Sequence, residues 1–560
     1  MSDKLPPPRD CVNVGLRLSL RARQRPDQVA VVQPLGRDAQ GRRQYASVTF
    51  QQLDEDSDRI AAGLHAYGVA PGMRLVLLVR PSIDFIALVF ALFKAGVVTV
   101  LVDPGLGKKN MLACLEQVQP DGFVAIPLAQ AVRTIMGRRF RQARFNVTVG
   151  RRWFWSGKTL EQIRRLGRRP FEPAATRASD PAAIIFTTGS TGPSKGVLYR
   201  HGNFAQQVDE IQAEYRIEPG EVDLPGFPLF ALFNAAMGVT TIIPDMDFTR
   251  PAQADPRNIL EAAHDWQVTQ AFGSPALWNV VGRHCESTGQ ALPTLKRVLS
   301  AGAPVPPHVL KRMRQAIHPE GRMHTPYGAT EALPVASISD SEVLGETAEK
   351  TASGAGTCVG GRFPGIEWQV IRIFDGPLPS IQDVEALPHG EIGELMVRGA
   401  VVTSEYVTQV DANALHKVQD GDRFWHRMGD VGYLDDHDRF WYCGRKSHRV
   451  RTASGTLFTD PVEAIFNQHP RIYRSALVGV GQPGNQRPVV IVETWPDKAC
   501  VSAQDQAALK EELLEVARTH PMTAGIHDIR LHPSLPVDIR HNSKIFREKL
   551  AVWAAESDRI

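Results

Sequence analysis

Ile184-Ile185-Phe186-Thr187-Thr188-Gly189-Ser190-Thr191-Gly192-Pro193-Ser194-Lys195-Gly196 is the stretch from which the rest of the chain is read. A short apolar run reads as a buried strand, and hydroxyls, glycines and one lysine follow it directly. Glycine, here Gly189 and Gly192, lets the backbone take positive φ and approach a ligand closely. Successive backbone N–H groups in such a turn form an anion-binding nest. Thr187, Thr188, Ser190 and Thr191 add hydroxyl donors, and Lys195 adds a point charge. The stretch predicts a phosphate-holding loop. It is not a Walker A loop, because no Gly-Lys-Ser/Thr closes it at the required spacing. The alternative, a flexible polar surface loop, leaves the apolar lead-in and the closing Lys195-Gly196 unexplained.

At 560 residues the chain is too long for one core, and its length predicts roughly three or four folding units. An apolar fraction of 43% and a charged fraction of 22% are those of an ordinary globular protein. No apolar run reaches the length of a membrane span, about eighteen residues. The N-terminal Met1-Ser2-Asp3-Lys4-Leu5-Pro6 stretch carries no apolar segment after its charges, so it does not read as a signal peptide. Six cysteines, Cys11, Cys114, Cys285, Cys358, Cys443 and Cys500, are scattered without a C-x-x-C pair. That pattern argues against a zinc site or a disulfide scaffold and for a reducing cytoplasm. A net charge of +4 does not demand a nucleic-acid partner, and no nucleic-acid motif is present. Arginines do crowd one region, from Arg133 to Arg169, with Trp153, Phe154 and Trp155 among them. This reads as a solvated basic face or as a docking patch.

Upstream of the loop, a helix carrying Ile60, Ala61 and Leu64 ends at Gly68, and Leu75–Val79 reads as a buried strand. Asp84–Ala95 is apolar nearly all round, as a packed helix requires, and Val97–Val102 is a second strand. Strand, helix, strand at this spacing is a βαβ unit and predicts a parallel sheet with helices on its faces. Residues 130 to 180 read as an irregular basic insertion. Downstream, Val298-Leu299-Ser300-Ala301-Gly302-Ala303 is a strand and a small-residue turn against which a flat ring could lie. In Tyr327-Gly328-Ala329-Thr330-Glu331 the tyrosine can stack on a base, Thr330 can donate to a phosphate, and Glu331 offers oxygen to Mg²⁺. Asp430, in Arg427-Met428-Gly429-Asp430, can accept two ribose hydroxyls. The final hundred or so residues read as a small α/β unit, with strands at 474–480 and 488–494 and an amphipathic helix at 503–520.

The loop at 187–196 resembles the phosphate loop of the ANL superfamily of adenylate-forming enzymes, and the motifs that follow match that superfamily over nearly the whole chain. The resemblance implies an α/β fold with a large N-terminal domain of parallel and mixed sheets, helices and a β-rich subdomain, residues 1–444. A small mobile C-terminal α+β domain, residues 445–560, would follow. It further implies ATP and Mg²⁺, with phosphates at Thr187, Thr188, Gly189, Ser190, Thr191, Gly192 and Lys195. Adenine would lie at Ala301, Gly302, Ala303, Tyr327 and Gly328, ribose at Asp430, and Arg445 would reach the nucleotide. Thr330, Glu331 and Lys544 would serve catalysis, Glu331 also as the metal ligand and Lys544 between carboxylate and α-phosphate. Phe230, Ala231, Asn234 and Gly273 would border the acyl group. Superfamily members often carry a histidine after the aromatic and a glycine further on. Ala231 and Asn234 stand there instead and would open room for a second alkyl chain.

Two stretches, Val102-Asp103-Pro104-Gly105-Leu106-Gly107 and Tyr327 through Pro334, resemble the β-lactone-forming branch of the superfamily that serves olefin synthesis. The hinge departs from the superfamily pattern at Ser447, Arg451–Gly455 and Thr459-Asp460-Pro461. The branch implies a long-chain 2-alkyl-3-hydroxy acid as substrate, adenylated and then closed to a β-lactone by its own hydroxyl. It also implies assembly with a thiolase, a reductase and a β-lactone decarboxylase. A fatty acyl-CoA ligase or acyl-AMP ligase is the alternative within the superfamily. A non-catalytic nucleotide-binding scaffold is the alternative outside enzymes, and the retention of Glu331 and Lys544 argues against it.

Overall fold

Alternation along Leu75-Val76-Leu77 sets the first layer of packing. In a strand, successive side chains face opposite ways. Leu75 and Leu77 enter one apolar core and Val76 enters another. The computed structural model describes residues 11–168, 171–186, 194–227, 230–538 and 544–557, and of Pro104, Phe230 and Ala231 the backbone alone. A seven-stranded sheet is built from β1 (Arg74–Leu78), β2 (Val98–Leu101), β3 (Gly122–Ala125), β4 (Phe145–Thr148), β5 (Lys158–Thr159), β6 (Pro181–Phe186) and β7 (Gly196–Arg200). Its order is β5-β4-β3-β1-β2-β6-β7, parallel except at β6–β7. The βαβ expectation is met: α2 (Ile83–Lys94) connects β1 to β2.

On the Leu75 face lie α1 (Phe50–Ala66) and α2, and on the Val76 face lies α3 (Lys108–Val118), followed after β3 by α4 (Pro127–Ile135). Thr49 caps α1 in a reciprocal box with Gln52, and Ser82 caps α2 by accepting from Phe85 N at 3.1 Å. Each cap satisfies an otherwise unpaired helix N–H. The apolar α2 is buried from Phe85 through Lys94. Lys94 is fully buried, and its Nζ donates to Asp54 Oδ1 at 2.5 Å and Asp58 Oδ1 at 2.8 Å. Removing one partner strands the buried carboxylates, so Lys94→Met is expected to destabilise the fold by about 3–5 kcal/mol. Urea unfolding followed by circular dichroism reads the loss, and an unchanged midpoint would contradict it.

The reading of 130–180 as an irregular insertion is corrected. This region supplies β4, β5 and helix α5 (Leu160–Leu166) to the sheet. Its strands are two to four residues long, too short to show period in sequence. Arg164 is a structural residue, bound to Asp56 at 2.7 Å and Asp84 at 2.6 Å, whereas Trp153 and Phe154 are exposed.

A fourteen-stranded sheet faces the first across α6 (His201–Glu214) and α7 (Phe230–Met237). Its parallel centre runs through Thr240–Ile242, Val222–Pro225, Gln270–Gly273, Arg297–Ser300 and Arg322–Ala329. Antiparallel strands extend it through Ala332–Ser339, Thr357–Arg362, Arg439–Arg445, Arg423–Leu434, Gly393–Arg398 and Glu367–Ile371. Past Arg445 the chain forms a three-stranded sheet, Ile472–Val480, Arg487–Thr494 and Asp528–Leu531, with its own apolar clusters and the helix Ala503–Thr519. Among the described residues, no helix is long and apolar enough to cross a membrane.

Candidate active site

The carboxyl ends of β1, β2, β3 and β6 open into a cavity of about 1910 Å³. Strand ends in a parallel sheet leave such crevices where ligands bind. Lys195, Ala301, Gly302, Tyr327, Gly328, Thr330, Glu331, Arg445 and Lys544 all line it. The structure therefore brings together residues from opposite ends of the chain. Gly302 takes φ +95, a conformation open to glycine, in the turn after Arg297–Ser300.

At one side, Tyr327 Oη donates to Asp430 Oδ2 at 2.5 Å, and Asp430 is buried. Arg445 Nη1 lies 2.9 Å from Asp430 Oδ1 as an ion pair, but off hydrogen-bond alignment, so Oδ1 has no hydrogen-bond donor among the described residues. A buried carboxylate oxygen without a donor is an unmet demand, and a ribose hydroxyl is the kind of group that meets it. Asp430 holds the Arg445 guanidinium above its ordinary pKa. Burial, then Asp430, raises that of Tyr327. Tyr327 also meets Phe440 at 6.0 Å between ring centres.

Lys544 stands just past residues 539–543. Its carbonyl accepts from Asp538 N at 2.9 Å, and Val537 bridges Ile545, which fixes the backbone beside the cavity. Burial and then Arg445 push the Lys544 ammonium below its ordinary pKa. Thr330 and Glu331 form the turn between the antiparallel strands Arg322–Ala329 and Ala332–Ser339. Thr403 N and Oγ1 donate to its carbonyl at 2.9 and 3.0 Å, and Tyr406 Oη donates to its Oε1 at 2.7 Å. The Thr330 carbonyl accepts from Tyr199 Oη at 2.6 Å. Among the described residues no cluster of three or more metal-ligating side chains exists, so a cation at Glu331 would draw its remaining oxygens from a bound phosphate.

Sequence reasoning missed the aromatic and basic group behind Glu331. Lys195 Nζ lies 3.0 Å from His416 Nε2 and 4.8 Å from the centre of the Tyr406 ring. His416 Nδ1 lies 3.2 Å from the Arg427 carbonyl, which assigns the proton to Nδ1 and leaves Nε2 to accept from Lys195. Burial pushes His416 down to about 4 and Lys417 down to about 7. Lys417 Nζ donates to the Thr403 carbonyl. Tyr406, His416 and Lys417 lie in a loop, a short helix and the strand after it, in sequence that carries no motif, and only the fold brings them to Lys195 and Glu331.

Other expected residues fall elsewhere. Thr187, Thr188, Gly189, Ser190, Thr191 and Gly192 lie outside the described residues, as do the side chains of Phe230 and Ala231. Asn234 does not border the cavity. It is buried, and its Nδ2 donates to Asp223 Oδ2 at 2.6 Å and Thr241 Oγ1 at 3.2 Å. The physical reason is its polarity: a buried amide needs partners, and Asp223, pushed up to about 7 by burial, supplies one. Gly273 sits between the lining residues Phe272 and Ser274, and a Cβ there would stand 2.9 Å from Leu277 and Trp278. It serves close packing. Ala301 and Gly302 line the cavity, whereas Ala303 does not.

Two layers of strands and helices, with a cavity at the strand ends that gathers Lys195, Glu331, Arg445 and Lys544, define a class. The chain belongs to the family of AMP-binding enzymes, whose family model matches residues 18–407. It is 47% identical over 551 residues to an olefin beta-lactone synthetase of Xanthomonas campestris pv. campestris, covering 97% of this chain and 98% of that protein. An olefin beta-lactone synthetase of Stenotrophomonas maltophilia is 47% identical over 552 residues, with the same coverage. Among solved structures, ATP-bound MatB from Rhodopseudomonas palustris superposes with a TM-score of 0.76 at 19% identity, covering 98% of this chain and 99% of that one. That match speaks to the fold, the one the resemblance predicted.

Proposed function

We propose that this protein is an ATP-dependent β-lactone synthetase acting on a long-chain 2-alkyl-3-hydroxy acid. The observation that carries the reading is the near full-length likeness to two olefin beta-lactone synthetases. The convergence of Lys195, Glu331, Arg445 and Lys544 on one largely apolar cavity supports it. Asp430 would hold the ribose and Ala301, Gly302 and Tyr327 the base. Lys195 and the 187–192 loop would hold the outer phosphates, and Glu331 would bind Mg²⁺. Residues 1–444 would bind ATP and acid, and residues 445–560 would act as a mobile lobe that carries Lys544. An acyl substrate and olefin-pathway enzymes would be its partners, in the cytoplasm.

The chemistry has two displacements. A carboxylate oxygen attacks the α-phosphorus, the bond to the β-phosphate oxygen breaks, and pyrophosphate leaves. Lys544 offsets charge as it develops at the α-phosphate. The substrate's own 3-hydroxyl then attacks the acyl carbonyl, loses its proton, and expels AMP to close a four-membered ring. Holding both reacting groups on one molecule makes this step intramolecular. Incubation with ATP, Mg²⁺ and such an acid, without CoA, tests the reading. AMP release with a lactone in the extract is expected, and strict CoA dependence would contradict it.

A further inference from the structure

The cavity reaches both faces of the seven-stranded sheet. On the Leu75 face, between the two sheets, it is lined by Phe85, Phe90, Phe93, Val208, Ile211 and Phe233. On the Val76 face, beneath α3 and α4, it is lined by Met111, Leu112, Leu115, Phe123, Ala129 and Phe140. The strand ends at Leu78, Leu101 and Ile185 form the ridge between these arms. The cavity of about 1910 Å³ includes the nucleotide-side residues Ala301, Gly302 and Tyr327 as well as both apolar arms. Met111, Leu112 and Ala129 are only partly covered by the core they pack against. A hydrocarbon seated against such side chains would gain dispersion contacts with them.

We propose that the arm beneath α3 and α4 is a subsite for one alkyl branch of a doubly branched hydroxy acid, the other branch lying between the two sheets. This rests on the functional reading above and names the site it requires. A 2-alkyl-3-hydroxy acid carries hydrocarbon on adjacent carbons, so its chains must part within a bond of the reacting carboxyl. A cavity with an apolar arm on each face of the sheet, lined also by Lys544, matches that shape. The arm's polar neighbours do not obstruct it. Arg133 Nε donates to Gln130 Oε1 at 2.8 Å and Nη2 to Thr134 Oγ1 at 3.0 Å, which holds the guanidinium along α4. Leu128 and Val132 line the arm yet are 65% and 38% exposed, so it opens to the surface along α4 and accepts chains longer than itself.

Ala129→Phe and the Leu112→Phe/Ala129→Phe pair fill the arm. The purified full-length variants are compared with wild type on synthetic 2-alkyl-3-hydroxy acids in which the C2 or the C3 chain alone is shortened. Expected is a fall in kcat/KM of about 10-fold or more for acids long on one of the two carbons. Acids short on that carbon should be turned over as by wild type. A loss equal for every chain pattern, or no loss for any, would overturn the subsite. Thermal unfolding of each variant separates a filled arm from a damaged fold. A wild-type protein that releases pyrophosphate with these acids but forms no lactone would instead overturn the functional reading. ATP–pyrophosphate exchange with the same acids still reports the arm in that case.

Discussion

Lys544→Ala is expected to slow acyl-adenylate formation by about 10²–10³-fold, the loss seen when one donor to a developing charge is removed. ATP binding should persist, because Arg445 and the 301–302 turn line the cavity from other elements, and Asp430 pairs with Arg445 behind it. The ends flanking 539–543 are tied by Val537 and Ile545 backbone pairing, and thermal unfolding checks that the variant folds. ATP–pyrophosphate exchange reads the chemical step and calorimetric titration reads binding. Loss of ATP binding in a folded variant would contradict the role. The sign of the pH dependence follows from the same site. The ammonium is the working form, and burial with Arg445 lowers its pKa. Activity should therefore decline on the alkaline side before an ordinary lysine would lose its proton. Lys544→Arg, which stays charged, should move that limb to higher pH.

Asp430→Asn is expected to raise the KM for ATP by about 100-fold. A hydrogen bond to a charged acceptor contributes about 1.5–3 kcal/mol, and each 1.4 kcal/mol is about tenfold in affinity. The substitution also leaves Arg445 beside a neutral amide, so Tyr327, Asp430 and Arg445 lose their shared charge balance. A purely structural role would weaken every nucleotide alike. A ribose role predicts that wild type prefers ATP to 2′-deoxy-ATP and that Asp430→Asn loses most of that preference. Unchanged discrimination in the variant would count against it.

Much of this site is legible in the sequence because it is written in short local runs. The Ile184–Phe186 lead-in is a strand, the 327–331 segment delivers Glu331 to the cavity, and Arg445 lines the same cavity. The α2 helix is found within a residue at each end, since its apolar run is long. Asn234 was misplaced for a reason of chemistry. Its position suggested the acyl pocket, but its amide is drawn to Asp223. The cluster of Tyr406, His416 and Lys417 behind Glu331 is not legible in the sequence, because it lies 75 residues from Glu331 and 221 from Lys195, and only the fold brings it to them. The short strands at 145–148 and 158–159 were hidden by the arginines around them. Charge density marks a segment's surface and says little about a four-residue strand beneath it.

The central claim is that the acid's own oxygen displaces pyrophosphate before the hydroxyl closes the ring. A single turnover with a 2-alkyl-3-hydroxy acid labelled with oxygen-18 in its carboxylate tests this most directly. Mass spectrometry should find one labelled oxygen in AMP and one in the lactone carbonyl, with the ring oxygen unlabelled. Unlabelled AMP with label in the lactone ring would mean that the hydroxyl, not the carboxylate, was activated, and would contradict the account.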